Sequence, residues 1–433
     1  MNEPSKVTRR EFIKTTAGGA LALGAAQAGW TREIGPNDRV NVGVIGVGGM
    51  GYFHCDELVN RRKDKADIEI IGVCDVYEKR KKAATEKTGA KAYHDHRELL
   101  ARPDLDAVVI ASPDHWHAPM AIDAMRAGKD VYLQKPMTLT FSEAKEVVRV
   151  ARETKRIVQI GAQGSSDDLN WQARKAIQDG HIGKVVWSQA TYCRNSREGE
   201  FNWPIDKDAS PKNIDWTRWL GHAPKVPWNP DRFFNFRKYW DYSGGIVTDL
   251  LYHSLTELST ALGREFPWRV VSTGGIWLQK DGREIPDTVM VSVDYPTEHS
   301  VNMPICMANE QGVPKMIRGH TGTIHFGDGH IRIVGDGPFR DEFKAKHGQD
   351  EMRVNSQPRE DHMSNFLRCV RSRDASQLHL PVEDGYRIMT AIYMAVLSYR
   401  LNKMLFFDSA REAIVDSPPV ASAPIRDPRG LRR

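Results

Sequence analysis

The densest chemical signal in the chain lies at residues 46–51, where Gly46, Gly48 and Gly51 stand at G-x-G-x-x-G spacing. Val40, Val42, Val44 and Ile45 precede them and predict a short buried strand. A glycine turn that leaves a strand and opens a helix offers backbone N–H groups and the positive helix end to a phosphate. Gly46 permits the tight turn, Gly48 lets backbone approach a pyrophosphate, and Gly51 allows close packing of helix on strand. Gly49 and Met50 complete the loop. Asp75 ends the next apolar run (68–75), 24 residues beyond Gly51. A carboxylate there accepts from ribose hydroxyls and repels a 2′-phosphate, so the expected cofactor is NAD, with NADP disfavoured. His115 and His117 are spaced by two, which does not bring them together on a helix, and no carboxylate cluster accompanies them; no metal is expected. The five cysteines (Cys55, Cys74, Cys193, Cys306, Cys369) are odd in number, without a C-x-x-C pair, and read as free thiols.

The elements that must hold this loop alternate strand and helix. "AVVIAS" (107–112) is apolar throughout, as in a strand covered on both faces. A helix is expected from about 115 to 127, then strands at 130–134 and 157–161. Ser142 reads as the N-cap of a helix with Ala144, Val147, Val148 and Ala151 on one stripe. This is the pattern of a doubly wound parallel sheet, the Rossmann type. After about residue 183 the style changes. Residues 193–245 are rich in Trp, Pro, Asn and Asp, and 269–335 hold β-rich runs without intervening helices, which indicates an α/β domain with a large, mostly antiparallel open sheet. Helices return near 360–373 and 383–402. The expected organisation is a leader (1–28), a linker (29–38), a nucleotide-binding domain (39–162), a second domain for substrate and oligomerisation (163–408) and a Pro-rich flexible tail (409–433).

Composition excludes several classes. The 433 residues carry a formal charge of +5, of which Lys6, Arg9, Arg10 and Lys14 against Glu3 and Glu11 supply +2. The remainder leaves no nucleic-acid or lipid footprint. Residues 8–14, "TRREFIK", resemble a twin-arginine export signal. A short, weakly apolar run and Ala26-Gln27-Ala28 follow, a signal-peptidase pattern. Export to the periplasm through the twin-arginine translocase is expected, without a stable membrane anchor. That route carries folded proteins, so a cofactor can be loaded before export.

"SPDHWHAPMAIDAMRAGKDVYLQKP" (112–136) and "DYSGGIVTDLLYHSLTELSTALG" (241–263) resemble the oxidoreductases grouped around glucose–fructose oxidoreductase, inositol dehydrogenase and the rhizopine-catabolism proteins (Gfo/Idh/MocA), over roughly residues 39–408. The resemblance implies a pyridine nucleotide held between the two domains. The family's Glu-Lys-Pro motif appears as Gln134-Lys135-Pro136, and its Asp and His four apart as Asp249 and His253; that spacing puts both on one face of a helix. Removing a hydride from a carbinol carbon leaves a proton to be taken from its oxygen, a task for a neutral imidazole, with a nearby cation to steady the alkoxide. The resemblance thus implies His253 as general base, Lys135 as electrostatic helper and Asp249 as orienter. It also places Ser112, Pro113, His117, Gln134, Lys135 and Gln163 around the cofactor. Gln134 departs from the family's Glu, Leu251 from Gly, and Thr256 from Asp.

The substrate clue is aromatic. Trp203, Trp216, Trp219, Trp228 and Trp240 lie within 38 residues. Most are expected to pack the loop itself, with one or two serving as sugar platforms. Tyr192, Arg194, Arg237, Trp240 and Tyr252 are the expected substrate contacts, and the family resemblance implies that Tyr252 shares in acid–base work. The expected function is transfer of a hydride from a secondary hydroxyl of a sugar or polyol to tightly bound NAD, by a homo-oligomer. The alternative is a redox-neutral, NAD-dependent glycoside hydrolase that oxidises, eliminates, hydrates and reduces again. A noncatalytic sugar sensor is a third reading, against which the intact Lys135, Asp249 and His253 stand.

Overall fold

A computed structural model describes residues 39–419. The leader, the linker and residues 420–433 lie outside the described residues. The first domain is laid out in strict alternation: β1 (Val40–Ile45), α1 (Gly49–Lys65), β2 (Ile68–Cys74), α2 (Glu78–Thr88), β3 (Lys91–Tyr93), α3 (His96–Leu100), β4 (Ala107–Ile110), α4 (Asp114–Arg126), β5 (Asp130–Gln134), α5 (Phe141–Thr154) and β6 (Val158–Gly161). The six strands pair in the order β3-β2-β1-β4-β5-β6, all parallel. Order reverses between β1 and β4, which opens a crevice at their carboxyl ends, where ligands of doubly wound sheets bind.

Local sequence explains the layering. β4 and β5 are buried at every position because helices cover both faces. α5 buries Ala144, Val147, Val148 and Ala151, and each buried valine contributes about 1.5–3 kcal/mol. Its N-cap is Thr140, not Ser142. Thr140 accepts from the Glu143 N–H while the Glu143 carboxylate accepts from the Thr140 N–H, a reciprocal pair that Ser142, two residues on, has no geometry to make.

The second domain starts with α6 (Asp168–Gln178) and builds an 11-stranded sheet. Its strands are β7 (Val185–Gln189), β8 (Tyr192–Cys193), β9 (Arg269–Gly275), β10 (Thr288–Tyr295), β11 (His299–Cys306), β12 (Met316–Gly319), β13 (Gly322–Gly327), β14 (His330–Gly335), β15 (Glu351–Asn355), β16 (Leu405–Asp408) and β17 (Ala413–Val415). The path runs β15-β14-β13-β12-β7-β11-β10-β9-β16-β17, with β8 on β11. Pairing is antiparallel except where β7 and β8 meet β11. Two short helices, α7 (Trp216–Leu220) and α8 (Pro230–Phe234), lie in the aromatic segment, followed by α9 (Tyr252–Leu262), α10 (Arg340–His347), α11 (His362–Ser372) and α12 (Val382–Leu401).

Two expected boundaries move. β17 pairs with β16, so the second domain continues past residue 408 and residues 413–415 are strand rather than tail. The first domain is also completed from a distance. Met363, Phe366, Leu367 and Val370 of α11 join the same buried cluster as Val40, Val44 and Ile70, and Gln159 donates to the His362 carbonyl at 2.7 Å. The apolar stripe of α11 has no partner in its own sequence neighbourhood, and it covers one face of the parallel sheet.

Candidate active site

The glycine loop has the steric need its spacing suggested. Gly46 has φ +79°, and a Cβ on it would lie 2.7 Å from the Ser112 nitrogen. A Cβ on Gly51 would lie 1.7 Å from the Gly46 carbonyl oxygen, so no other residue fits there. α1 begins with no side-chain cap and no acidic residue in its first turn, leaving its leading N–H groups to a ligand. Ser112 Oγ is buried without a partner beside this turn. Asp75 is 8% exposed and accepts from Val47 N–H and Tyr77 N–H, both at 2.9 Å. It therefore fixes the loop as well as facing the cavity. An uncapped helix end, an orphaned hydroxyl and a carboxylate at the end of β2 fit a dinucleotide.

At the other side of the crevice stands a charged cluster. Lys135 follows β5 on a cis Lys135–Pro136 peptide. Its ammonium donates to Asp249 Oδ1 at 2.7 Å and to the Asp249 carbonyl at 3.1 Å. Arg237 Nε donates to the same Oδ1 at 2.7 Å. Burial pushes the Asp249 carboxyl up, but Arg237 and Lys135 outweigh it and hold the group well below the ordinary carboxylate range. Asp249 sits in a π-helical turn (Val247–Leu251) that runs directly into α9. The spacing of Asp249 and His253 predicts one helix face; the structure places Asp249 in the π-helical turn and His253 in the α-helix after it. A π-turn widens the backbone by one residue, a distortion that recurs at functional sites.

His253 lies in the first turn of α9, its ring 5.9 Å from the Tyr192 ring. It makes no side-chain hydrogen bond among the described residues. Burial, then Lys135, lowers its pKa to about 4, against a smaller opposing pull from Asp249. The imidazole is neutral at pH 7, with a nitrogen free to accept. Arg194 donates to the Tyr192 hydroxyl at 2.7 Å and to Glu200 at 3.2 Å. Trp203 is 44% exposed, with the Arg237 guanidinium 5.5 Å from its ring.

Several expected contacts fall elsewhere. Tyr252 is fully buried, its hydroxyl 3.4 Å from the Gly385 carbonyl of α12; one residue along the helix it faces the core, away from any acid–base role. Trp240 packs beside Tyr399 and Arg400 in a separate cleft with Ser272 and Asn402. Arg237, expected at substrate, spends its Nε on Asp249. Gln134 donates to His54 Nε2 at 2.7 Å and accepts from the Lys135 N–H at 3.2 Å, so it braces Lys135 from inside. His117 is buried with its ring nitrogens 2.6 Å from the Pro136 carbonyl and 2.8 Å from the Ser112 carbonyl. Burial lowers its pKa to about 4, and a neutral ring donates to only one of the two; it is wedged between the carbonyl just after β4 and that of the Lys135 loop. Gln163 is half-buried in the 3-10 turn after β6. Pro113, with Ser112, lines the cavity at the glycine turn.

Sequence reasoning missed Asp114 and Glu200. Asp114 is buried, receives the Ser243 hydroxyl at 2.6 Å, and is pushed up to about 6 by burial against the pull of Arg237. Its position directly after Ser112-Pro113 was the available signal. Among the described residues no group of three or more His, Cys, Asp or Glu side chains is gathered as metal ligands would be. All five cysteines are free, and no described helix is long and apolar enough to cross a membrane.

A doubly wound dinucleotide domain that supplies Lys135, joined to an open-sheet domain that brings Asp249 against it with His253 one turn on, defines a pyridine-nucleotide-binding protein of two domains. Residues 40–162 match the NAD-binding Rossmann fold of the GFO/IDH/MocA oxidoreductase family, and residues 172–272 match that family's C-terminal α/β domain. The chain belongs to this family, and NAD is its cofactor. An inositol 2-dehydrogenase of Rubrobacter xylanophilus is 30% identical over 189 residues, 43% of this chain and 53% of that protein. A glycosyl hydrolase family 109 protein of Shewanella baltica is 26% identical over 242 residues, 49% of this chain and 50% of its own length. The chain thus spans about half to two thirds of the curated relatives it matches. Among solved structures, levoglucosan dehydrogenase with NADH and levoglucosan has a TM-score of 0.63 at 19% identity, covering 88% of this chain and 100% of that one. The WlbA dehydrogenase of Bordetella pertussis with NADH and UDP-GlcNAcA has a TM-score of 0.61 at 19% identity, covering 86% and 99%. These likenesses show the fold.

Proposed function

We propose that the chain is an NAD-dependent oxidoreductase that removes a hydride from a secondary hydroxyl of a sugar or polyol. The observation that carries this is the donor count at Lys135. An ammonium has three N–H donors; two go to Asp249, and the third is left for a substrate oxygen. Nicotinamide supplies the hydride acceptor when bound. His253 takes the hydroxyl proton as the C–H hydride leaves, so the alcohol becomes a ketone. Lys135 holds the oxygen as negative charge develops, which lowers the barrier where it is highest. Asp249 and Arg237 fix the Lys135 ammonium, and Gln134 and His54 fix its backbone. Tyr192, Arg194 and Trp203 offer an aromatic and hydrogen-bonding wall suited to a sugar. Replacing His253 by Ala should abolish NAD reduction on a polyol and sugar panel while nucleotide binding persists; turnover at the wild-type rate would refute the role.

A second reading keeps the same first step and ends in hydrolysis. Oxidation acidifies the neighbouring C–H, an aglycone leaves, water adds, and the ketone is reduced again. The likeness to family 109 glycosyl hydrolase proteins supports it. Release of a chromogenic aglycone without net NADH would favour it over the dehydrogenase. Location and assembly form part of the proposal: export in the folded, NAD-loaded state through residues 8–14, and a homo-oligomer in solution. Cell fractionation and light scattering test these two points.

A further inference from the structure

Beside the glycine turn lies a cavity of about 340 Å³. That is the small end of ligand pockets, a size for half a dinucleotide. One wall is the first domain: Gly46, Asp75, Val76, Ser112 and Trp116. In a doubly wound fold the acid ending β2 marks the ribose of the adenosine half, so this cavity is in the position that fold type gives to adenosine. The opposite wall comes from the second domain: Asp215, Thr217, Arg218, Trp219 and Gly221.

That second wall is stitched down along its length. Glu78 N–H donates to the Asn213 carbonyl at 3.0 Å and Asp215 N–H to the Val76 carbonyl at 3.0 Å, around an antiparallel bridge between Tyr77 and Ile214. The Tyr77 hydroxyl donates to Asp206 at 3.0 Å, and Lys79 pairs with Asp206 at 2.8 Å. Arg218 pairs with Asp95 at 2.5 Å, and Trp116 Nε1 donates to the Trp219 carbonyl at 2.7 Å. Gly221 has φ +55°, and a Cβ there would lie 2.3 Å from the Trp116 ring, so the segment is as close as backbone permits. Arg80 stacks 4.9 Å from the Phe233 ring of α8, and its guanidinium lies 3.2 Å from a Cβ built on Gly48. The aromatic segment thereby reaches the pyrophosphate turn as well.

We propose that residues 206–221 form a strap that completes the adenosine site from the second domain, so that NAD leaves only when the strap parts from the first domain. The class of ligand is an adenine nucleoside joined to a pyrophosphate. The inference rests on the NAD-binding reading of the loop and is independent of the reaction catalysed. It gives a physical basis for a cofactor kept over many turnovers, as a redox cycle outside the cytoplasmic NAD pool would need.

The test uses the full-length protein loaded with isotopically labelled NAD and chased with excess unlabelled NAD, without substrate. Release from wild type should be slow, and the variant D95N/D206A, which weakens the Arg218 and Tyr77–Lys79 tethers but changes no residue lining the cavity, should release at least tenfold faster. A second readout covers poor folding of that variant: in loaded wild type, the amide hydrogens of Glu78 and Asp215 should exchange no faster than nucleotide leaves. Equal release from a folded variant, or rapid exchange of those two amides while NAD remains bound, would overturn the strap. Loss of turnover on every sugar would leave this outcome untouched, so the two proposals fail separately.

Discussion

Replacing Asp249 by Asn removes one negative charge from between two cations. Lys135 and Asp249 side chains are 9% and 11% exposed, and Arg237 is 21% exposed. Each ion pair spans 2.7 Å, a gross attraction of about 6 kcal/mol at an effective dielectric of about 20. Desolvation of each ion offsets several kcal/mol of that, yet removing the shared partner leaves uncompensated charge and costs about 3–5 kcal/mol. Lys135→Met is milder, because Arg237 still neutralises Asp249; it should cost about 1.5–3 kcal/mol, the strength of a hydrogen bond to a charged group. The double variant K135M/D249N leaves one bare cation instead of two, and should be more stable than D249N alone. Urea unfolding followed by tryptophan fluorescence measures all three. A D249N midpoint equal to wild type, or strictly additive effects in the double variant, would refute the picture of one anion shared by two cations.

Other consequences follow from the same geometry. Gly51→Ala should abolish NAD binding without unfolding the second domain, because its Cβ would meet the Gly46 carbonyl; calorimetric titration with NAD checks this. Tyr252→Phe should leave kcat within about twofold of wild type, since a hydroxyl 3.4 Å from a core carbonyl contributes at most a weak neutral hydrogen bond; a large kcat loss would return Tyr252 to the acid–base role. Turnover should be pH-independent above about 5 as far as His253 is concerned, and fall as pH drops through about 4, where the imidazole protonates. Stability should decline earlier. His117, His253, His299, His362 and His379 are all lowered to about 4, chiefly by burial. Between 6.5 and 4 the unfolded chain therefore binds more protons than the folded one, and stability rises with pH across that window. Asp114, raised to about 6, opposes this in part. Thermal midpoints at pH 7 and 5 give the sign.

The parts legible in the sequence were those whose physics is local. Gly46, Gly48 and Gly51 announce a steric requirement within six residues, and the structure has it at Gly46 and Gly51. Unbroken apolar runs such as residues 107–110 announce a doubly covered strand. Side-chain direction one residue apart was harder: His253 and Tyr252 are neighbours on a helix, and only the packing of α12 against that helix decides which faces the core. Trp240 was drawn to the site by composition, while the fold turns it into another cleft with Arg400. The Arg237–Asp249 pair, the return of α11 to the first domain and the seam between residues 76–78 and 213–215 are contacts between segments far apart in sequence or between side chains with no shared period. Nothing in local pattern encodes them. Ser142 failed as a cap because Thr140 had Glu143 at the distance a capping box needs.

The central claim is that Lys135, Asp249 and His253 serve hydride transfer to NAD. The most direct measurement presents the NAD-loaded protein with a panel of polyols and sugars carrying deuterium on their carbinol carbons, then analyses the extracted nucleotide by mass spectrometry. Deuterium in the reduced nicotinamide in wild type, and none in H253A with NAD still bound, is the predicted result. A folded, NAD-loaded wild-type protein that acquires no deuterium from any of them, or an H253A variant that acquires it at the wild-type rate, would contradict the account.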